Sequence, residues 1–137
     1  ATALGLAGSV RFLGARLRAE VAQILRHADV AVAPSVPSRD GRREGLPVAL
    51  MEVAASGLPL VASRLSGIPE LVQDGATGIL VEPGDVGALA CALERLAKDA
   101  EIRLKFGRTA RERALRDFDL AGNARALAAR FAEVAAR

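Results

Sequence analysis

Glu44 and Glu52 bracket the apolar run Gly45-Leu46-Pro47-Val48-Ala49-Leu50-Met51, and from Gly45 to Ser63 the chain carries a single charge, Glu52. An ionised carboxylate among residues such as Met51, Val53, Ala54 and Ala55 is costly to bury unless it has a partner or lines a cleft. Pairing with an arginine, or capping a neighbouring backbone, would give Glu52 a structural role. Accepting hydroxyl groups from a ligand would give it a functional one. The pattern predicts a helix beginning at Pro47, whose missing N–H does no harm at a first helical position, and ending at Gly57. Glu44 then lies in the preceding loop and Glu52 in the helix. A helix start presents free N–H groups and a partial positive charge, which places the amides of Leu46 and Val48 to hold a phosphate. The flanking carboxylates cannot bind phosphate themselves but accept hydroxyls. Ribose, diphosphate and hexose of a sugar nucleotide follow that order.

Positioning such a site requires elements on either side. Val10-Arg11-Phe12-Leu13 reads as a strand closed by Gly14, and Leu17, Val21, Ile24 and Leu25 recur at helical spacing after it. Val30-Ala31-Val32-Ala33 is continuously apolar and suits a parallel strand covered on both faces. A third strand is expected over residues 58–63, a short helical turn over 69–72, and a fourth strand over 79–81, with Gln73-Asp74-Gly75 as the turn between. Asp85 is a good N-cap for a helix carrying Val86, Leu89, Ala90, Leu93 and Leu96 on one face. Further helices are expected near residues 101–116 and 120–136. The alternation predicts an α/β fold with an open, doubly wound parallel sheet of Rossmann-like kind and C-terminal helices. In such sheets ligands bind beyond the carboxyl ends of the strands, and the loops at residues 14–16, 35–46 and 63–69 qualify.

Composition narrows the classes. The 137 residues are 51% hydrophobic and 26% charged, which fits one globular domain with a proper core. The single Cys91 excludes an internal disulfide and, with the single His27, leaves no His/Cys cluster for zinc. Cys91 reads as a small, buried or half-buried helix hydrophobe, and His27 as a dipole partner at a helix end. The pI near 10.0 invites a nucleic-acid reading, yet the net charge is only +3 and the basic residues are interleaved with acidic ones, without aromatic stacking residues among them. The expectation is a soluble, cytoplasmic domain that binds no nucleic acid. Met51 is the only methionine, which suggests that the chain is part of a longer protein.

Five segments carry a resemblance. Ala28-Asp29-Val30 through Pro34-Ser35, the Glu44-x7-Glu52 pair, Gly57-Leu58-Pro59-Leu60-Val61-Ala62-Ser63, Ser66-Gly67-Ile68-Pro69-Glu70 and Asp74-Gly75-x-x-Gly78 occur in order. Together the chain resembles the carboxy-terminal, donor-binding domain of the retaining glycosyltransferases of family 4, which have the GT-B fold. It is most similar to the bacterial exopolysaccharide branch of colanic-acid type. The resemblance implies transfer of a sugar, with retention, from a nucleotide-diphosphate sugar to an acceptor glycan or lipid-linked glycan. It implies a single domain over 1–137 that is only part of the donor half, with the acceptor domain and the first strands upstream, so that this chain alone would be inactive. Peripheral membrane association of the full enzyme is compatible with it. Glu44 is implied as the catalytic residue at the anomeric carbon. Glu52 would hold the ribose hydroxyls, and Gly45, Leu46, Pro47 and Val48 would meet the distal phosphate. Ala15 and Arg16 would lie against the base, with Ser35 and Gly67 completing the donor-binding set. Neither a cofactor nor a divalent metal is expected, since the leaving diphosphate helps to deprotonate the acceptor in the mechanism proposed for this family.

Two departures bear on the site. Many members have glycine where this chain has Pro47, so one amide is missing from the cradle. The loop at residues 36–43 is longer and more basic than the common form, and Arg39, Arg42 and Arg43 are either solvated charges or contacts to phosphate or an anionic acceptor. A non-catalytic nucleotide-binding or scaffold module is the alternative function. A nucleotide-sugar epimerase would need another histidine and carboxylate arrangement than His27 offers.

Overall fold

The computed structural model describes residues 1–38 and 45–135. Its elements are α1 (Arg18–Arg26), β1 (Ala31–Ala33), α2 (Val48–Ala55), β2 (Leu60–Ser63), α3 (Ile68–Leu71), β3 (Gly78–Val81), α4 (Val86–Lys98), α5 (Ala100–Asp117) and α6 (Leu120–Ala135), preceded by a turn of 3-10 helix at Thr2–Leu4. The strands form a parallel sheet in the order β1-β2-β3. Ala31 pairs with Leu60 on one side, and Leu60 with Gly78 on the other. Parallel neighbours need a crossover, and α2 and α3 supply the two that join them.

β2 is buried at all four positions because it has a strand on each side and helices on both faces. Leu50, Val53, Ala54, Leu58, Leu60, Ile68, Leu71, Ala110 and Ala114 gather in one cluster, which seats α2, α3 and α5 on the sheet. Val61, Val81, Ala92, Leu96 and Phe106 form the second, beneath α4. Gly78 is required by this packing, because a Cβ there would stand 2.2 Å from the carbonyl oxygen of Leu60. Asp74 accepts the Leu80 amide at 3.0 Å, and buried Thr77 accepts the Gln73 amide at 2.7 Å. The Asp74-Gly75-x-x-Gly78 segment therefore aligns β3.

Local chemistry explains the helix limits. Asp85 accepts the Ala88 amide at 2.8 Å and Asp99 the Ile102 amide at 2.9 Å, so each caps the helix after it. Glu20 reaches back to the Leu17 amide at 2.9 Å, one half of a capping box. Gly57 takes φ +80 and sends its amide to Ala54, the left-handed exit that stops α2.

The expected strand over residues 10–13 is not formed, and Phe12 is 88% exposed. A strand needs a ladder partner, and no described strand pairs with this segment, so its alternation alone does not fold it. The loop at residues 14–16 accordingly does not leave the carboxyl end of a strand. Pro47 differs as well. Expected as the first helical residue, it is instead the extended N-cap of α2, at φ −62 and ψ 126, and the helix starts one position later, at Val48. α6 lies off both clusters with Leu127, Phe131 and Val134 exposed. No helix among the described residues is long and apolar enough to cross a membrane.

Candidate functional site

β1 ends at Ala33 and β2 at Ser63, and the chain leaves both strands at the same end of the parallel sheet. The first of these exits leads through Pro34 and half-buried Ser35 toward α2; the second leads through Arg64 and Leu65 to Ser66 and Gly67. They meet at one place. A Cβ on Gly67 would stand 3.0 Å from the Leu46 nitrogen and 3.2 Å from the Gly45 carbonyl carbon. A Cβ there would push the loop after β2 and the Gly45–Leu46 peptide apart by a few tenths of an ångström. Ser66 just before it has φ +50, the one positive φ among the described non-glycine residues, so this loop is held in a conformation that costs energy.

Gly67 is thus brought against Gly45 and Leu46, which Pro47 and Val48 follow directly in the chain. The donor pattern at the helix mouth is set by Pro47 as N-cap. Leu50 N–H bonds the Pro47 carbonyl at 3.0 Å. Helix geometry leaves the Val48 and Ala49 amides without intrahelical acceptors. Ala49 is a donor that sequence reasoning missed, because a helix that starts one residue later than expected shifts the whole first turn. Since the N-cap amide lies at the edge of the donor set, Pro47 removes a marginal donor and leaves the helical ones intact.

Glu52 lies one turn further along α2, on a face where its side chain is 33% exposed. Its partner is Arg18, whose Nε stands 3.2 Å from Glu52 Oε1. Arg18 opens α1, directly after the loop that contains Ala15 and Arg16, both exposed. This ion pair ties that loop to α2. Sequence reasoning anticipated an arginine partner as the structural explanation of Glu52 but could not choose Arg18, which is 34 positions away in sequence. The guanidinium is 89% exposed, so the bond gains little and is readily exchanged. Glu44 lies outside the described residues, as do Arg39, Arg42 and Arg43. His27 sits at the C-cap of α1, its Nδ1 2.8 Å from the Gln23 carbonyl oxygen, whereas Cys91, expected to be buried or half-buried, is exposed because it lies on the outer face of α4, away from buried Ala92 and Leu96.

On geometry alone, the helix mouth can hold an anion of phosphate size, and a carboxylate stands within the same helix to accept hydroxyls. Comparison with known proteins identifies the family. Residues 1–99 match the family model described as glycosyl transferases group 1. The chain is 45% identical over 89 residues to the amylovoran biosynthesis glycosyltransferase AmsK of Erwinia amylovora, covering 65% of this chain and 22% of that protein. It is 45% identical over 101 residues to the putative colanic acid biosynthesis glycosyltransferase WcaL of Salmonella typhimurium, covering 73% of this chain and 25% of that one. Among solved structures, Anabaena HepE in complex with UDP superposes with a TM-score of 0.85 at 27% identity, over 96% of this chain and 34% of HepE. The chain thus spans about a quarter of the length of these two curated relatives.

Proposed function

Since the chain belongs to the glycosyl transferases group 1, with the parallel sheet and flanking helices of a GT-B half, we propose that it supplies nucleotide-sugar binding to a retaining glycosyltransferase. The observation that carries this reading is the α2 mouth, where the Val48 and Ala49 amides lack intrahelical acceptors one turn before Glu52, and Gly67 presses on the Gly45–Leu46 peptide. In this reading the amides of Leu46, Val48 and Ala49 hold the diphosphate, with Gly45 and Pro47 shaping the loop. Glu52 exchanges Arg18 for the ribose hydroxyls. Ala15 and Arg16 lie along the base, Ser35 flanks the sugar end of the cleft, and Glu44 steadies the donor sugar at its anomeric carbon. Transfer needs no cofactor or divalent metal here, the diphosphate itself taking the acceptor proton.

HepE has been solved with UDP and with UDP-glucose, which favours a uridine nucleotide as the first ligand to test. AmsK and WcaL are named for amylovoran and colanic acid biosynthesis, which favours a glycan or lipid-linked glycan acceptor. Nucleotide sugars are made in the cytoplasm, so the enzyme works there, in peripheral contact with the membrane where its acceptor is lipid-linked. The 137 residues form a partial donor domain, and catalysis requires an acceptor domain beyond them. Titration of the chain with UDP, ADP and GDP tests the binding role: one nucleoside diphosphate binds with the matching monophosphate weaker. Equal affinity for nucleoside, monophosphate and diphosphate contradicts the phosphate cradle. Sugar transfer by the isolated chain at the rate of full-length relatives contradicts its partial character.

A further inference from the structure

α5 crosses behind the cradle and holds the far ends of both elements that build it. Gly107 of α5 packs so closely on the exit of α2 that a Cβ there would stand 2.1 Å from the Gly57 carbonyl oxygen. Arg111 donates from Nη1 to the carbonyl of Ala55, the last residue of α2. Arg113 donates from Nη2 to the Glu70 carbonyl in α3 at 2.7 Å. Both are cations at the carbonyl end of a helix, where they neutralise unpaired oxygens.

Arg113 is held more tightly than a surface arginine. Its side chain is 19% exposed, Nη1 lies 3.6 Å from Asp117 Oδ2, and Nε is buried with no partner among the described residues. Losing the Glu70 bond as well would leave more of this largely buried guanidinium unpaired, which is costly. Its bond to Glu70 fixes α3, a single turn of four residues whose N-cap is Gly67. Gly67 in turn abuts the Leu46 amide.

We infer that Arg113 is a positioning residue for the phosphate cradle: it holds α3 so that Gly67 sets the Leu46 peptide against the mouth of α2. The inference rests on the binding role proposed above for its functional consequence, and on the contacts of α5, α3 and Leu46 for its structural one. Arg103 provides a matched comparison. It donates to the carbonyls of Leu96 and Ala97 at 2.6 and 3.0 Å, the same kind of helix-end bond but on α4, away from the cradle.

The experiment compares Arg113→Ala, Arg113→Lys, Gly67→Ala and Arg103→Ala in the 137-residue protein, by amide NMR without ligand and by UDP titration. Misplacing one amide that bonds a charged phosphate weakens binding about tenfold. Arg113→Ala and Gly67→Ala displace the Leu46 amide resonance and weaken UDP by about that factor, whereas Arg103→Ala leaves the resonance in place and changes affinity less than about twofold. Arg113→Lys, which keeps the cation and one donor, falls between wild type and Arg113→Ala, and serves alone if the alanine variant does not fold. An unmoved Leu46 resonance in the Arg113 variants, or equal effects from the Arg103 and Arg113 substitutions, overturns the inference. Absence of UDP binding to the wild type would instead defeat the ligand assignment, with the Leu46 resonance still deciding the positioning.

Discussion

Removing Arg18 should strengthen nucleotide binding. Its Nε lies 3.2 Å from Glu52 Oε1, and ribose hydroxyls that use both carboxylate oxygens must displace it. The cost of displacement is the worth of the pair. With side chains 89% and 33% exposed, the bond belongs among solvent-screened ion pairs, worth about 0.2–1 kcal/mol. Deleting the competitor therefore raises affinity by a factor of about 1.4 to 5. Calorimetric titration of UDP into wild type and Arg18→Ala at low salt reads this directly. The advantage should shrink in about 1 M salt, where screening reaches within roughly 3 Å and the pair is already weakened in the wild type. A threefold or greater loss of affinity in Arg18→Ala would refute the reasoning, since Arg18 would then be a ligand contact. An unchanged affinity at both salt concentrations would refute it too, by showing that Glu52 gives up nothing when nucleotide binds.

Three further predictions concern the scaffold. Leu96→Ala removes a side chain with no solvent exposure from the cluster beneath α4, and should cost about 2–5 kcal/mol in urea unfolding, a loss below about 1 kcal/mol arguing against that cluster. Gly78→Ala forces a Cβ against the Leu60 carbonyl in the β2–β3 ladder and should lower stability by about 1–3 kcal/mol, measured as the urea midpoint; a neutral effect would contradict the close strand approach. The hydrogen bond from Arg116 holds the Asp117 carboxyl below its usual 3.8. A depressed carboxylate contributes stability above its unfolded value and loses it as pH falls through the folded one. The urea midpoint of the wild type should therefore fall more steeply below pH 3.8 than that of Arg116→Ala, and parallel curves would contradict the pairing.

Much of this fold is legible in single residues. Asp85 caps α4 and Gly57 ends α2, because both act through contacts within a few residues of themselves. The buried strands β2 and β3 are equally plain, their apolar runs lying between turn residues. Residues 10–13 show the limit of such reading: their alternation suits a strand, but pairing depends on a neighbour that a local pattern does not reveal. The site divides in the same way. Gly45 to Val48 were recognisable as a helix mouth because Pro47 and the apolar run mark it. The role of Gly67 as a spacer was not, since it depends on how closely the loop after β2 approaches Leu46. Arg18 and Arg113 were also missed, one an exposed cation and the other a helix residue, each defined by a partner 34 or 43 positions away.

The central claim is that Glu52 is a ligand group beside a phosphate-binding helix mouth, and Glu52→Gln tests it most directly because it preserves shape while removing the charge. Titrated with UDP and with 2′,3′-dideoxy-UDP, the wild type should prefer UDP, whose hydroxyls donate to the carboxylate, by about tenfold or more. In Glu52→Gln that preference should largely vanish, with the melting temperature little changed because only an exposed ion pair is lost. A preference for UDP that survives in Glu52→Gln would contradict the account and leave Glu52 with Arg18 as a structural pair alone.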